Sequence, residues 1–186
     1  VHPQISLSQD PYIPLFRSFR NAIVSASADA GLLEGFDPEG PLDEYYYFDQ
    51  KLAVMRMVQD ADLRRSFDQA SANELVESIE ARASLSSPRL TPYVDRIRGE
   101  TYKDLFEAAI EVVALGRETP DVRWLGWNDN WTVEFFPALA RSFPDAKFII
   151  LVRDVRSSIS SHVRTPEAHR ISLTLSFTRC WRKQLA

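Results

Sequence analysis

The sequence predicts an α/β domain, rich in helices towards the front and organised around parallel strands towards the back. Three observations carry this. Residues 11–113 repeat apolar side chains at spacings of three and four, the period of an amphipathic helix. After Pro120 two short apolar runs appear, VRWLGW (122–127) and KFIILV (147–152), each followed by a helical pattern. Strand, helix, strand and helix in so short a span require crossover helices and hence parallel strands. The expected organisation is one domain over 1–186, mainly helical over 1–120, with the strand–helix–strand–helix part over 121–186.

Taken in order, residues 11–28 predict a helix with Leu15, Phe16, Phe19, Ile23 and Val24 on one face. Gly31, Gly35 and the stretch GFDPEGPLDE (35–44) predict turns. Residues 48–60 read as a helix through Leu52, Met55 and Val58, and residues 71–84 as another with a weaker face over 72–75 and Ile79. SSPRLTPY (86–93), punctuated by two prolines, reads as a loop. Tyr102, Leu105, Phe106, Ala109, Ile110 and Val113 give the cleanest amphipathic helix in the chain. VRWLGW then reads as a strand, 131–143 as a helix, and KFIILV as a strand buried on both faces. Two more helices are expected, from about Val155 and from about Ile171 to the end.

Composition narrows the function. The chain has 186 residues, 45% hydrophobic and 26% charged, the balance of a globular domain with a real core. Its net charge of −4 argues against nucleic acid as a partner, so any anion site must be local. The single cysteine, Cys180, excludes an internal disulfide and a zinc site built on cysteines, and suits a cytoplasmic compartment better than a secreted one. No apolar run approaches membrane-spanning length, and VHPQISLSQDPY lacks a signal-peptide pattern. The abrupt beginning and an end inside a helical pattern lead us to expect a truncated chain.

The chemistry points to the corner after KFIILV. Ligands of open parallel sheets collect at the carboxyl ends of strands. Asp154 suits an N-cap for the following helix, and Arg153 sets a permanently charged fork beside that helix's positive end. With Ser157, Ser158, Ser160 and Ser161 following, these groups describe a phosphate site. A structural ion pair with a helix cap is the competing reading.

FPDAKFIILVRDVRSSISSHV (143–163) resembles the segment of sulfotransferases that grips the 3′-phosphate of 3′-phosphoadenosine 5′-phosphosulfate: a strand, an Arg at its end, and a Ser eight positions on. The resemblance assigns 3′-phosphate contacts to Arg153 and Ser161, with Arg156 either joining them or facing solvent. Val155 stands where that family often has Pro. HPQISLSQDPYIPLFRSFRNA (2–22), WNDNWTVEFFPALARSFPDA (127–146) and the C-terminal SFTRCWRKQLA are similar to neighbouring family segments, although the Lys frequent before the 131–143 helix is missing.

The resemblance implies a P-loop-like three-layer α/β/α fold, the cofactor pair 3′-phosphoadenosine 5′-phosphosulfate (PAPS) and adenosine 3′,5′-bisphosphate (PAP), and a small-molecule, glycan or peptide acceptor. The Arg/Lys-Ser-Gly-Thr-Thr loop that would hold the 5′-phosphosulfate is not in the sequence, so the chain is expected to carry half of the cofactor site.

For the proton acceptor the candidates are Asp43, Glu44 and Lys51 in DEYYYFDQK, a stretch equally readable as solvated charge beside packing tyrosines. His162 and His169 read as ordinary helix histidines and His2 as part of a frayed terminus, while Arg164 and Arg170 suit a basic rim. Trp127 and Trp131 either stack on adenine or pack in the core. A nucleotide kinase or related phosphotransferase and a non-catalytic helix-rich interaction domain are the alternatives; the first lacks its Walker-type loop.

Overall fold

The structure is a computed structural model describing residues 2–27, 36–39, 42, 49–117, 120–129, 132–151, 154 and 156. Its sheet begins with a strand in the terminus that was expected to fray. Ile5–Gln9 forms β1, and Trp124–Asn128 forms β2, paired in parallel with Ile5 opposite Trp124 and Gln9 opposite Asn128. Parallel strands were expected, but of 122–127 with 147–152; the partner of the 124–128 strand is instead β1. Alternation sets the two faces. Ser6 and Ser8 point inward and are buried, with Leu125 and Trp127 packed against the core beside them. Leu7 and Trp124 point outward and are 57% and 56% exposed. The serines face in and the leucine faces out, which inverts the usual pattern and hides the strand from a hydrophobicity reading.

The edge of β1 away from β2 is closed by side chains. Ser87 accepts from the Gln9 amide at 2.8 Å and donates its hydroxyl to the Gln9 carbonyl at 3.1 Å, and Arg89 donates to the Leu7 carbonyl. These bonds occupy the positions a third strand would use, which protects the edge from pairing with another chain. Ser87→Ala removes both partners of Gln9 and is expected to cost about 1–3 kcal/mol. A chemical-denaturation midpoint unchanged by the substitution would contradict this role.

The helices follow the apolar periodicity closely. Helix α1, Ile13–Ser25, opens with Pro in its first turn and buries Leu15, Phe16, Phe19, Ile23 and Val24. Helix α2, Asp49–Asp60, turns Val54 and Val58 inward. Helix α3, Ala72–Ser86, buries Leu75, Val76, Ile79 and Ala83 after a 3₁₀ turn over Gln69–Ser71. Helix α4, Tyr102–Leu115, starts with a capping box: Thr101 accepts from the Asp104 amide at 3.2 Å, and Asp104 accepts from the Thr101 amide at 2.9 Å. These contacts with Thr101 hold the Asp104 carboxyl below its ordinary range. Gly116 ends α4 where a Cβ would stand 2.7 Å from Leu90 Cδ2 and 3.1 Å from the Arg89 carbonyl oxygen, so a larger residue fits only if the 88–96 segment gives way. Helix α5, Phe136–Ser142, follows a 3₁₀ turn over Val133–Phe135 and is shorter than the expected 131–143 helix. The core forms where α1, α4 and the turn before α5 meet, with Phe16 stacked obliquely on Phe106 and Phe135.

Two expectations need correction. The segment read as a loop over 86–93 is a 3₁₀ helix, Pro88–Arg96, with Leu90 and Val94 buried. Pro88 opens it where a missing N–H costs nothing, and the rigid φ of proline favours the helical turn. The run read as a buried strand over 147–152 is not a strand in its described part, 147–151. Ile149 and Leu151 are 79% and 86% exposed, and only Phe148 packs, on Phe136 at 4.8 Å. An apolar run becomes a strand only where neighbours take its backbone N–H and C=O groups, and none of the described residues does so here. The helices expected from about 155 and 171 lie outside the described residues.

Candidate functional site

At the corner after 147–151, Asp154 accepts from the Arg156 amide at 2.8 Å, the bond expected of an Asp that starts a helical turn. The Arg156 guanidinium reaches back to the same carboxylate, Nε to Oδ1 at 3.3 Å and a terminal nitrogen to Oδ2 at 3.0 Å. Arg156 remains 90% exposed, so the pair adds little stability. The Asp154 contact raises the guanidinium pKa further, and the group is permanently charged. Arg156 thus stands at the surface with part of its donor fork engaged. Arg153, Ser161, Asp43 and Glu44 lie outside the described residues, as do Trp131, His162, His169, Arg164 and Arg170. Lys51 lies in the first turn of α2, and only its backbone is described.

A second group of polar residues gathers where the parallel strands end. β1 runs into Asp10 and β2 into Asp129, and the Asp10 amide donates to the Asn128 carbonyl at 2.7 Å. Asp10 has φ 49°, left-handed backbone that a non-glycine residue adopts only at a cost. Arg82 of α3 donates Nε to the Asp10 carbonyl at 2.5 Å. Both Asp129 carboxyl oxygens are sealed from solvent and lack any partner with hydrogen-bond geometry, although the Tyr12 amide approaches closely enough to favour the ionised form. Burial, with the Asp10 charge adding to it, pushes the Asp129 pKa up to about 8. Burial, followed by the Asp129 charge, raises the Tyr12 phenol in turn. The Tyr12 hydroxyl is occupied, donating to the Ala109 carbonyl at 2.8 Å.

Trp127 proves to be core: its ring meets Tyr12 edge-on at 5.2 Å and lies nearly parallel to Phe106 at 6.3 Å. The aromatics flanking this strand end therefore belong to the core. Sequence reasoning did not single out Asp10 or Asp129. The available signal was the polar N-D-N break within an aromatic run, directly after an expected strand.

Away from the strand ends, an open cleft lies between α2, α4 and α5, lined by Asp60, Asp62, Arg64, Lys103 and Arg141. Each of its cations already has a protein partner. Arg64 pairs with Asp62 at 2.9 Å, Lys103 pairs with Glu107, and Arg141 donates to the carbonyls of Gln59 and Ala61 at the end of α2. Those bonds satisfy carbonyls that a helix end leaves open, which is a structural role.

The family model described as the sulfotransferase family matches residues 32–186, most of the chain. The chain belongs to the sulfotransferase family. No curated protein and no solved structure matches it. The matched range contains the Arg153–Ser161 spacing, Asp129 at the end of β2 and the three earlier candidates; β1, Asp10 and α1 precede it. Membership makes the chain a sulfuryl-transferring protein by kind, and its helix-rich architecture with a parallel two-stranded sheet agrees with an α/β fold. No helix among the described residues is long and apolar enough to cross a membrane.

Proposed function

We propose that the protein transfers a sulfuryl group from PAPS to the hydroxyl or amine of a small-molecule, glycan or peptide acceptor, on a P-loop-like α/β/α scaffold. The observation that carries this reading is the family match across 32–186, which spans the strand-like run, Arg153 and the Ser eight positions later. In this reading Arg153 and Ser161 grip the 3′-phosphate, with Arg156 at the rim. The corner's chemistry fits an anion: an exposed guanidinium stands beside a turn whose Asp154 carboxylate is already held by the Arg156 amide and side chain, so its charge is largely compensated. Arg153 supplies charge-assisted, fork-shaped hydrogen bonding, and Ser161 adds a hydroxyl donor. When bound, the cofactor supplies an activated sulfuryl group on a phosphate leaving group. The chain's own work is to orient that donor and to take a proton from the acceptor.

Nucleotide titration tests the reading. Adenosine 3′,5′-bisphosphate is expected to bind the full-length protein more tightly than adenosine 5′-monophosphate. Arg153→Ala should weaken the bisphosphate by about 10- to 100-fold, the worth of a charge-assisted contact. Ser161→Ala should weaken it by about 3- to 10-fold, the worth of a neutral hydrogen bond. The monophosphate should respond to neither substitution. Equal affinities for the two nucleotides would overturn the assignment.

A further inference from the structure

Asp129 directly follows β2, and both of its carboxyl oxygens are sealed from solvent without a hydrogen-bond partner. A neutral carboxyl can be kept so at moderate cost, whereas an ionised one must regain water or a counter-charge. Two charged groups act on it. Asp10, at the end of β1, opposes ionisation, and Arg82 of α3, which donates to the Asp10 carbonyl, favours it. The Tyr12 amide, just before α1, also favours the charged form, yet burial outweighs both. The Tyr12 phenol is committed to α4, where it donates to the Ala109 carbonyl at 2.8 Å. The closed arrangement therefore holds Asp129 as the neutral acid.

Few bonds hold the corner around it. The Asp10 amide donates to the Asn128 carbonyl at 2.7 Å, Arg82 Nε to the Asp10 carbonyl at 2.5 Å, and the Thr132 hydroxyl to the Asp129 carbonyl at 3.2 Å. Asp10 sits at φ 49°, and releasing this left-handed backbone returns part of the cost of opening. By contrast, α4 buries Tyr102, Leu105, Phe106, Ala109, Val112 and Val113 along its length. Segments with few buried contacts open at lower free energy than such a core.

We propose that Asp129 is a pH-sensitive latch on the strand ends: neutral, it keeps the corner of Asp10 and Asn128 closed, and ionised, it opens that corner while the helical core stays folded. The latch needs no particular substrate and stands apart from the function proposed above. Its corner lies at the carboxyl ends of parallel strands, where open sheets take their ligands, so the closed and opened forms differ in what can reach it. Burial raises the folded pKa to about 8 against an ordinary 3.8. Opening thus becomes easier by about tenfold per pH unit between these two values and no easier above the higher one.

Amide hydrogen exchange in the full-length protein from about pH 6 to 9, corrected for the intrinsic pH dependence of exchange, tests the latch. The Asp10 amide reports on the corner, and the Ala109 and Val113 amides inside α4 report on the core. In wild type the Asp10 protection factor should fall by roughly five- to tenfold per pH unit up to about pH 8 and then level off. It should also stay at least about tenfold below that of the α4 amides at every pH. Asp129→Asn should abolish the fall, leaving the Asp10 protection constant within about threefold. Wild-type Asp10 protection that does not change with pH overturns the latch. So does protection equal to that of the α4 amides throughout, because the carboxyl is then exposed only by global unfolding. A folded Asp129→Asn variant that keeps the wild-type slope overturns it too. If that variant does not fold, the two wild-type comparisons decide by themselves.

Discussion

Replacing Phe16 by alanine is expected to cost about 3–5 kcal/mol, the loss typical of a large aromatic deleted from a close-packed core. Phe16 is completely buried and touches Phe106 of α4 at 5.1 Å and Phe135 before α5 at 4.9 Å between ring centres. It is therefore the shared contact of three elements, and its neighbours cannot relax into the space together without moving their helices. A melting temperature lower by roughly 6–20 °C is expected for a chain of this length. Phe16→Leu keeps most of the volume and should cost less than half as much. If both variants melt within 2 °C of the parent, α1 is not the organising helix of this core.

Asp129→Asn should raise stability at alkaline pH. The sign follows from burial, which favours the protonated form in the folded chain. The folded-state pKa, about 8, lies above the ordinary carboxyl value of 3.8. The stability tied to this group is fully present below pH 3.8, declines as the unfolded chain ionises and the folded one does not, and is lost once pH passes about 8. Asparagine removes that slope. The difference between variant and wild type should thus grow from near zero at pH 4 to a few kcal/mol at pH 8 to 9, since each pH unit between the two pKa values is worth about 1.4 kcal/mol. Denaturation midpoints across this pH range measure it. A variant that is destabilised at every pH would mean that the carboxyl serves the fold.

What was legible in the sequence was what local periodicity encodes. The buried face of α1 is the set Leu15, Phe16, Phe19, Ile23 and Val24 read from spacing, and α4 buries Leu105, Phe106, Ala109 and Val113 in the same way. Strand β1 escaped notice because Ser6 and Ser8 are its inward residues and Leu7 is exposed. The run over 147–151 misled for the opposite reason: its residues have every strand preference, but pairing is a property of neighbours, and Ile149 and Leu151 face solvent. Asp129 illustrates a further limit. An Asp between two Asn reads as solvated, and only its burial in the folded chain, with the Asp10 charge adding to it, makes it a perturbed acid. Arg153 and Ser161 were singled out by their spacing and family likeness and lie outside the described residues.

The pairing of β1 with β2 also sets a timetable for biogenesis. The two strands lie about 120 residues apart in the chain, a separation that slows folding because a long loop must close before the contacts reward it. On the ribosome, β1 emerges on the order of ten seconds before its partner. During that interval α3, the 88–96 turn and α4, whose mutual contacts are local, can assemble and offer Ser87 and Arg89 to the waiting strand. Side chains that look like edge protection in the finished sheet would then act first as a holding station. They would keep β1 from partners other than the one still to be synthesised.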